Sequence, residues 1–175
     1  MTLNVEQLRI VSYPDPVLRQ KATPVDPADP TVRAVALRMI ELMHEAEGVG
    51  LAAPQIALSW RIFVTNARDA DPVDRVYINP RLALGRDDWC TEEEGCLSLP
   101  GIHVKVRRPH WVRIEAIGLD GEPFSMEDDG FLARIWQHEN DHLDGVLIID
   151  RMTPIDRLAT RKLLRDMRVS AEAGP

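Results

Sequence analysis

Apolar positions recur with helical spacing in three stretches of this chain. From Thr31 to Glu47 they fall at Val32, Val35, Ala36, Met39, Ile40, Met43 and Ala46, with Pro30 just ahead and Gly48 just behind as natural ends. From Gly130 onward, Phe131, Ile135, His138 and His142 stand at i, i+4, i+7 and i+11, one stripe that Gly145 closes. The third stretch opens on Thr153-Pro154-Ile155-Asp156, close to a capping box, and predicts a helix from Pro154 to about Val169. Its Leu158, Leu163, Leu164 and Met167 are expected toward the body, and Arg157, Arg161, Arg165 and Arg168 toward solvent.

Between the helices the period shortens to two. Arg61–Thr65, Arg75–Asn79 and Trp111–Ile117 read as strands, and Asp120-Gly121 turns a hairpin that returns through Phe124. Arg9-Ile10-Val11 reads as an extended or strand segment, Asp26–Pro30 as a proline-punctuated loop, and the acidic Asp87–Glu94 as a solvated edge. Val146–Ile149 is a short apolar segment. The predicted class is α+β: short antiparallel strands packed around a central helix, with an N-terminal and a C-terminal helix.

Composition narrows this picture without changing it. The length of 175 residues, 45% of them hydrophobic, suits one domain over residues 1–175. No apolar run approaches the roughly 18–20 residues a membrane helix needs, and Met1–Glu6 resembles neither a secretory nor a transit segment, so the expected compartment is the cytoplasm. The net charge is −7, yet residues 151–175 carry six basic side chains against three acidic ones. An acidic body argues against specific DNA binding, while the basic tail remains a possible docking point.

Candidate chemistry concentrates in the middle stripe, which contains His138-Glu139-Asn140-Asp141-His142. Two histidines four apart on a helix share a face and can hold one metal ion. Glu139 then lies beside the ion without being a ligand, where its carboxylate can accept a proton from water. The bland alternative is a pair of core histidines bonded to backbone. A hydrolytic site wants a third ligand. No histidine follows His142; upstream, Cys96 sits in the turn Glu94-Gly95-Cys96-Leu97-Ser98, whereas Cys90 reads as a small buried hydrophobe. A Cys90–Cys96 disulfide is the competing possibility, disfavoured in a reducing compartment. Gly48–Ile56 is small and apolar with one polar side chain, Gln55; it is either a tight connection or a place where backbone and a lone amide meet a ligand.

Three of these segments, Gly48-Val49-Gly50-Leu51-Ala52-Ala53-Pro54-Gln55, Glu94–Ser98 and Gln137–Leu143, together resemble the signature motifs of the peptide deformylase family, in order and at its spacing. The resemblance also takes in Tyr13–Leu18 and Asp150-Arg151. It implies a metallohydrolase that removes the formyl group from the initiator methionine of nascent chains and releases formate. It further implies Cys96, His138 and His142 as ligands of one divalent ion, natively Fe(II), with Ni, Co or Zn as substitutes. Glu139 becomes the general base, and the Gln55 amide and Leu97 backbone N–H the oxyanion donors. Gly50 would pair with the extended peptide, and Val49, Phe131 and Ile135 would wall the methionine slot. Glu94 and Arg108 match family positions that pair. His103 stands where many relatives have arginine, near the substrate entrance. The basic tail is similar to the helix by which some deformylases dock on the ribosome, and its plain alternative is a solvated amphipathic helix. The rival readings are a zincin-like peptidase, which wants a downstream third ligand, a non-catalytic metal- or ribosome-binding protein, and a structural zinc module.

Overall fold

A computed structural model describes residues 3–68 and 72–172. In order, the elements are α1 (Pro30–Glu45), β1 (Gly50–Ala52), β2 (Ile62–Thr65), β3 (Arg75–Leu84), β4 (Trp89–Gly95), β5 (His103–Pro109), β6 (Val112–Ile117), β7 (Pro123–Asp128), α2 (Phe131–Leu143), α3 (Ile148–Arg151) and α4 (Pro154–Glu172). β1, β2, β3, β6 and β7 form one antiparallel sheet in that order, with β1 at its edge, while β4 and β5 form a separate two-stranded ribbon. The class is α+β, as expected.

The core follows the apolar pattern. α1 begins where Asp29 accepts the Thr31 N–H at 2.7 Å ahead of Pro30. Its buried Val35, Ala36, Met39 and Met43 cover Leu51, Ile62, Val64 and Ile78 of the sheet. α2 lies on the same sheet through Ala133, Trp136 and Leu143, with the Trp136 indole N–H donating to the Tyr77 hydroxyl at 2.9 Å. A further cluster joins Leu18, Leu99, Ile102, Val104 and Val106 to Ile148 and Ile149, and so seats the β4–β5 ribbon against the C-terminal part.

Several expectations change. Arg9–Val11 is extended but forms no strand, and its Val11 N–H bonds to the Gln55 carbonyl. Gly48–Ile56, read as a connection, contains β1 and a 3-10 turn over Ala53–Ile56. β5 went unforeseen because only Val104 and Val106 mark its buried face, and the next position on that face, Arg108, breaks the apolar alternation by being a buried charge. Asp87–Glu94 is an edge only in part, since Glu94 is buried. α4 was expected to bury four side chains, yet Leu158 is 74% exposed and Leu163 is 40% exposed. The helix is seated through Leu164, Met167 and Arg168, whose Nε donates to the Tyr13 hydroxyl, so Arg168 does not simply face solvent. The Thr153–Asp156 cap is present, with the Asp156 N–H donating to Thr153 Oγ1 at 3.2 Å.

Candidate metal centre

Two structural units meet at the site. α2 contributes His138, Glu139 and His142, and the turn after β4 contributes Cys96 and Leu97. One ligand atom from each of Cys96, His138 and His142 lies within 4.8 Å of the others, and Cys96 Sγ is 3.3 Å from His142 Nε2. Ligands on one divalent ion, with bonds of about 2.0–2.3 Å, stand roughly 3.3–3.8 Å apart in a tetrahedral arrangement, so this donor set fits a metal after a small contraction. Both cysteines are free, which removes the disulfide alternative.

Electrostatics suit a cation as well. Burial works against a charge on His138, but hydrogen bonds with Cys96 and Glu94 outweigh it and draw its pKa well above the usual value. The position between Cys96 and Glu94 thus favours positive charge, which a divalent ion bound to neutral His138 would supply. His142, by contrast, is kept neutral by burial and by its proximity to His138. His138 Nδ1 lies 3.1 Å from Glu94 Oε2, which leaves Nε2 as the nitrogen free to ligate.

Glu139 is 3% exposed, and its Oε2 has no hydrogen-bond partner among the described residues. Burial pushes its carboxyl up to about 7, poised for proton transfer near neutrality. Room for it comes from Gly50. A Cβ there would meet Glu139 Cδ at 2.8 Å and Cγ at 2.9 Å, with Oε1 closer still. Gln55 is also buried. Its Oε1 accepts the Ala52 N–H at 2.8 Å, and its Nε2 donates to Ser98 Oγ at 3.2 Å while lying 3.6 Å from Cys96 Sγ.

Gln55, Cys96, His138 and Glu139 line one cavity of about 400 Å³ together with Val49, Gly50, Leu97, His103, Phe131 and Ile135, while His142 is buried outside that lining. The cavity is large enough for a single amino-acid side chain and its flanking backbone.

A sequence profile described as polypeptide deformylase matches residues 7–158. This chain belongs to that family. The peptide deformylase of Acidobacterium capsulatum is 46% identical over 165 residues, covering 93% of this chain and 96% of that protein. That of Pseudomonas aeruginosa is 43% identical, covering 90% and 94%. Among solved structures, a plant peptide deformylase superposes with a TM-score of 0.91 at 36% identity, over 99% of this chain and 95% of that one. The Plasmodium falciparum peptide deformylase gives 0.89 at 38%, over 95% and 98%. Deformylation of nascent polypeptides by a metal-dependent hydrolase is the activity of this family.

Within this deformylase chain, the residues singled out from sequence all lie in or beside that cavity. Phe131 differs from expectation: it is 54% exposed and stands at the mouth, whereas Ile135 is 4% exposed and forms a wall. The reason is position, since Phe131 opens α2, before the helix has entered the core. His103 is exposed, with Nδ1 4.0 Å from Glu93. The Glu94–Arg108 pairing is present and bidentate, at 2.5 and 2.8 Å.

Sequence reasoning missed the rest of that ion cluster. Arg108 also donates to Asp141 at 2.9 Å, Asp141 receives Arg151 at 2.5 Å, and Arg134 donates to Glu94 at 2.7 Å. It also missed Ser98. Cys90 is no simple buried hydrophobe, because its half-buried Sγ accepts from Arg134 Nη2 at 3.0 Å. Arginine in the i−4 position before a candidate ligand was the one available signal.

Proposed function

We propose that this deformylase uses Cys96, His138 and His142 as ligands of one divalent ion and Glu139 as its proton-transfer group, on the N-formyl-methionyl end of nascent chains. The observation that carries the reading is the approach of Cys96, His138 and His142 within 4.8 Å of one another, with Cys96, His138 and a buried, unpartnered Glu139 lining one cavity. The ion supplies Lewis acidity, which acidifies water and polarises the formyl oxygen.

The chain's own residues do the remainder. Glu139 accepts the proton of the attacking water and passes it to the amine as the C–N bond breaks, so formate and a free amino terminus result. The Gln55 amide, held by Ala52 and Ser98, and the Leu97 N–H serve as donors to the oxygen on which negative charge develops. Gly50, on edge strand β1, offers backbone to the extended peptide. Val49 and Ile135 wall the methionine slot, with Phe131 and His103 nearer the entrance.

A thiolate and two imidazoles suit iron, zinc, cobalt or nickel, and Fe(II) is our reading of the native ion. We read residues 1–175 as one catalytic domain working in the cytoplasm; among the described residues no helix is long and apolar enough to cross a membrane. The basic α4 suits ribosome docking. It borders a groove of about 630 Å³ with Ile149 and Leu164 inside and Arg157, Arg161, Lys162 and Arg165 around it. Co-sedimentation with ribosomes that survives removal of these charges would refute that part.

The deciding experiment is an anaerobic assay of the Fe(II)-loaded protein on a short formyl-methionyl peptide, following formate. Release that disappears in Glu139→Ala and in the metal-stripped protein is the expected result. One equivalent of bound metal with no formate released would overturn the reading.

A further inference from the structure

The three ligand side chains belong to units that no sheet joins. Cys96 follows β4 in the two-stranded ribbon, whereas His138 and His142 ride on α2, which packs on the five-stranded sheet. The distance between thiolate and imidazoles therefore depends on side-chain ties between helix and ribbon. Arg134 supplies more of these than any other α2 side chain described. It lies one turn before His138 and is 6% exposed. Its Nη1 donates to Glu94 Oε1 at 2.7 Å and to the Val106 carbonyl at 3.2 Å. Its Nη2 donates to Cys90 Sγ at 3.0 Å, and its Nε stands 2.9 Å from Glu92 Oε2. One guanidinium thus spans three alternate residues of β4 and reaches across to β5.

The contact with Glu94 adds a second effect. Glu94 Oε1 is shared by Arg134 and Arg108, while Oε2 takes Arg108 Nη2 and faces His138 Nδ1. Arg108 is itself divided, since its Nη1 is committed to Asp141. Arg134 is the second cation that fixes the carboxylate plane, and through it the tautomer and ring orientation of His138.

We propose that Arg134 is a positioning residue of the metal centre, clamping α2 to β4 and loading Glu94 so that His138 is set at its distance from Cys96. The inference rests on Cys96, His138 and His142 being the ligands. A purely structural role would lower the unfolding temperature and leave metal affinity unchanged in the folded protein. A positioning role changes affinity and does so through Glu94.

The test is a double-mutant cycle of Arg134→Met and Glu94→Gln, read as Co(II) affinity by chelator competition and as the thiolate–cobalt absorption band, well below each variant's unfolding temperature. Each single variant is expected to weaken Co(II) binding about 10- to 100-fold. The double variant is expected to be no weaker than the worse single variant, within about threefold. Arg134→Lys, which keeps a cation but loses the fork, should recover part of the loss and shift the band toward wild type. Wild-type affinity in folded Arg134→Met, or losses that multiply in the double variant, would overturn the proposal. If Arg134→Met does not fold, Arg134→Lys carries the comparison, and wild-type affinity in it is the refuting result. Absence of formate release from the wild type would sink the functional reading and leave this cycle interpretable.

Discussion

Replacing Gly50 with alanine tests the placement of Glu139 with little else disturbed. Gly50 lies in extended strand backbone, paired with Thr65, so alanine's conformation is compatible there and the substitution removes some unfolded-chain entropy. The added Cβ would stand 2.8 Å from Glu139 Cδ and 2.9 Å from Cγ. Ordinary contact between carbons is roughly 3.5 Å, so the carboxylate must retreat by about 0.7 Å or more. Glu139 is 3% exposed, which means it cannot simply swing into solvent. Misplacement of a reacting group by about 1 Å costs on the order of 10²-fold in rate. The expected outcome is a loss of about 10²-fold in kcat for formate release, with stoichiometric metal and an unfolding midpoint near that of wild type. Steady-state formate release, metal content by emission spectroscopy and thermal unfolding read the three quantities. A kcat within about threefold of wild type, metal retained, would refute the idea that Gly50 makes the space in which Glu139 works.

Three further outcomes follow from the same geometry. Ser98→Ala removes the acceptor for Gln55 Nε2, so kcat should fall roughly tenfold while the metal stays bound; an unchanged kcat would show that Ser98 does not orient the amide. Burial alone would raise the Glu94 pKa, but hydrogen bonds from Arg108 and His138 outweigh it and hold the carboxyl far below the usual value. Its stabilising contribution is therefore complete above the unfolded-chain value of about 4.3 and is lost as pH falls toward the depressed folded value. Urea midpoints should decline more steeply below pH 4 in the wild type than in Glu94→Gln, and parallel declines would contradict this. Stripping the metal with a chelator should abolish activity without unfolding the protein, because the core clusters do not include His138 or His142; loss of helical circular dichroism on stripping would show otherwise.

Local patterns in the chain were enough for its three long helices and most strands, though not for the one-turn α3, read only as a short apolar segment. α1 and α2 bury most of the stripes that their spacing marks, Phe131 at the start of α2 excepted, and the Thr153–Asp156 cap lies where the residues indicate. The candidate ligands were legible for the same reason, since i, i+4 spacing alone aligns His138 with His142 on one face. Two short strands were not. β1 has three residues, too few to show a period, and β5 carries one charge, Arg108, that pairs in the interior, where sequence patterning expects solvent.

The sequence by itself determined the helical face that carries two imidazoles and a carboxylate, and the donor chemistry of Cys96. Those are local matters of spacing and side-chain type. Tertiary structure decided how Cys96, 42 positions away from His138, comes within reach of it, and that decision lies in contacts between remote elements. Arg134, Arg108 and Asp141 each look like surface charges on paper, yet here Arg134 and Arg108 are buried on Glu94 and Asp141 on Arg108. A charge can be buried only when its partners arrive with it, so such a cluster becomes visible only once β4, β5 and α2 have packed.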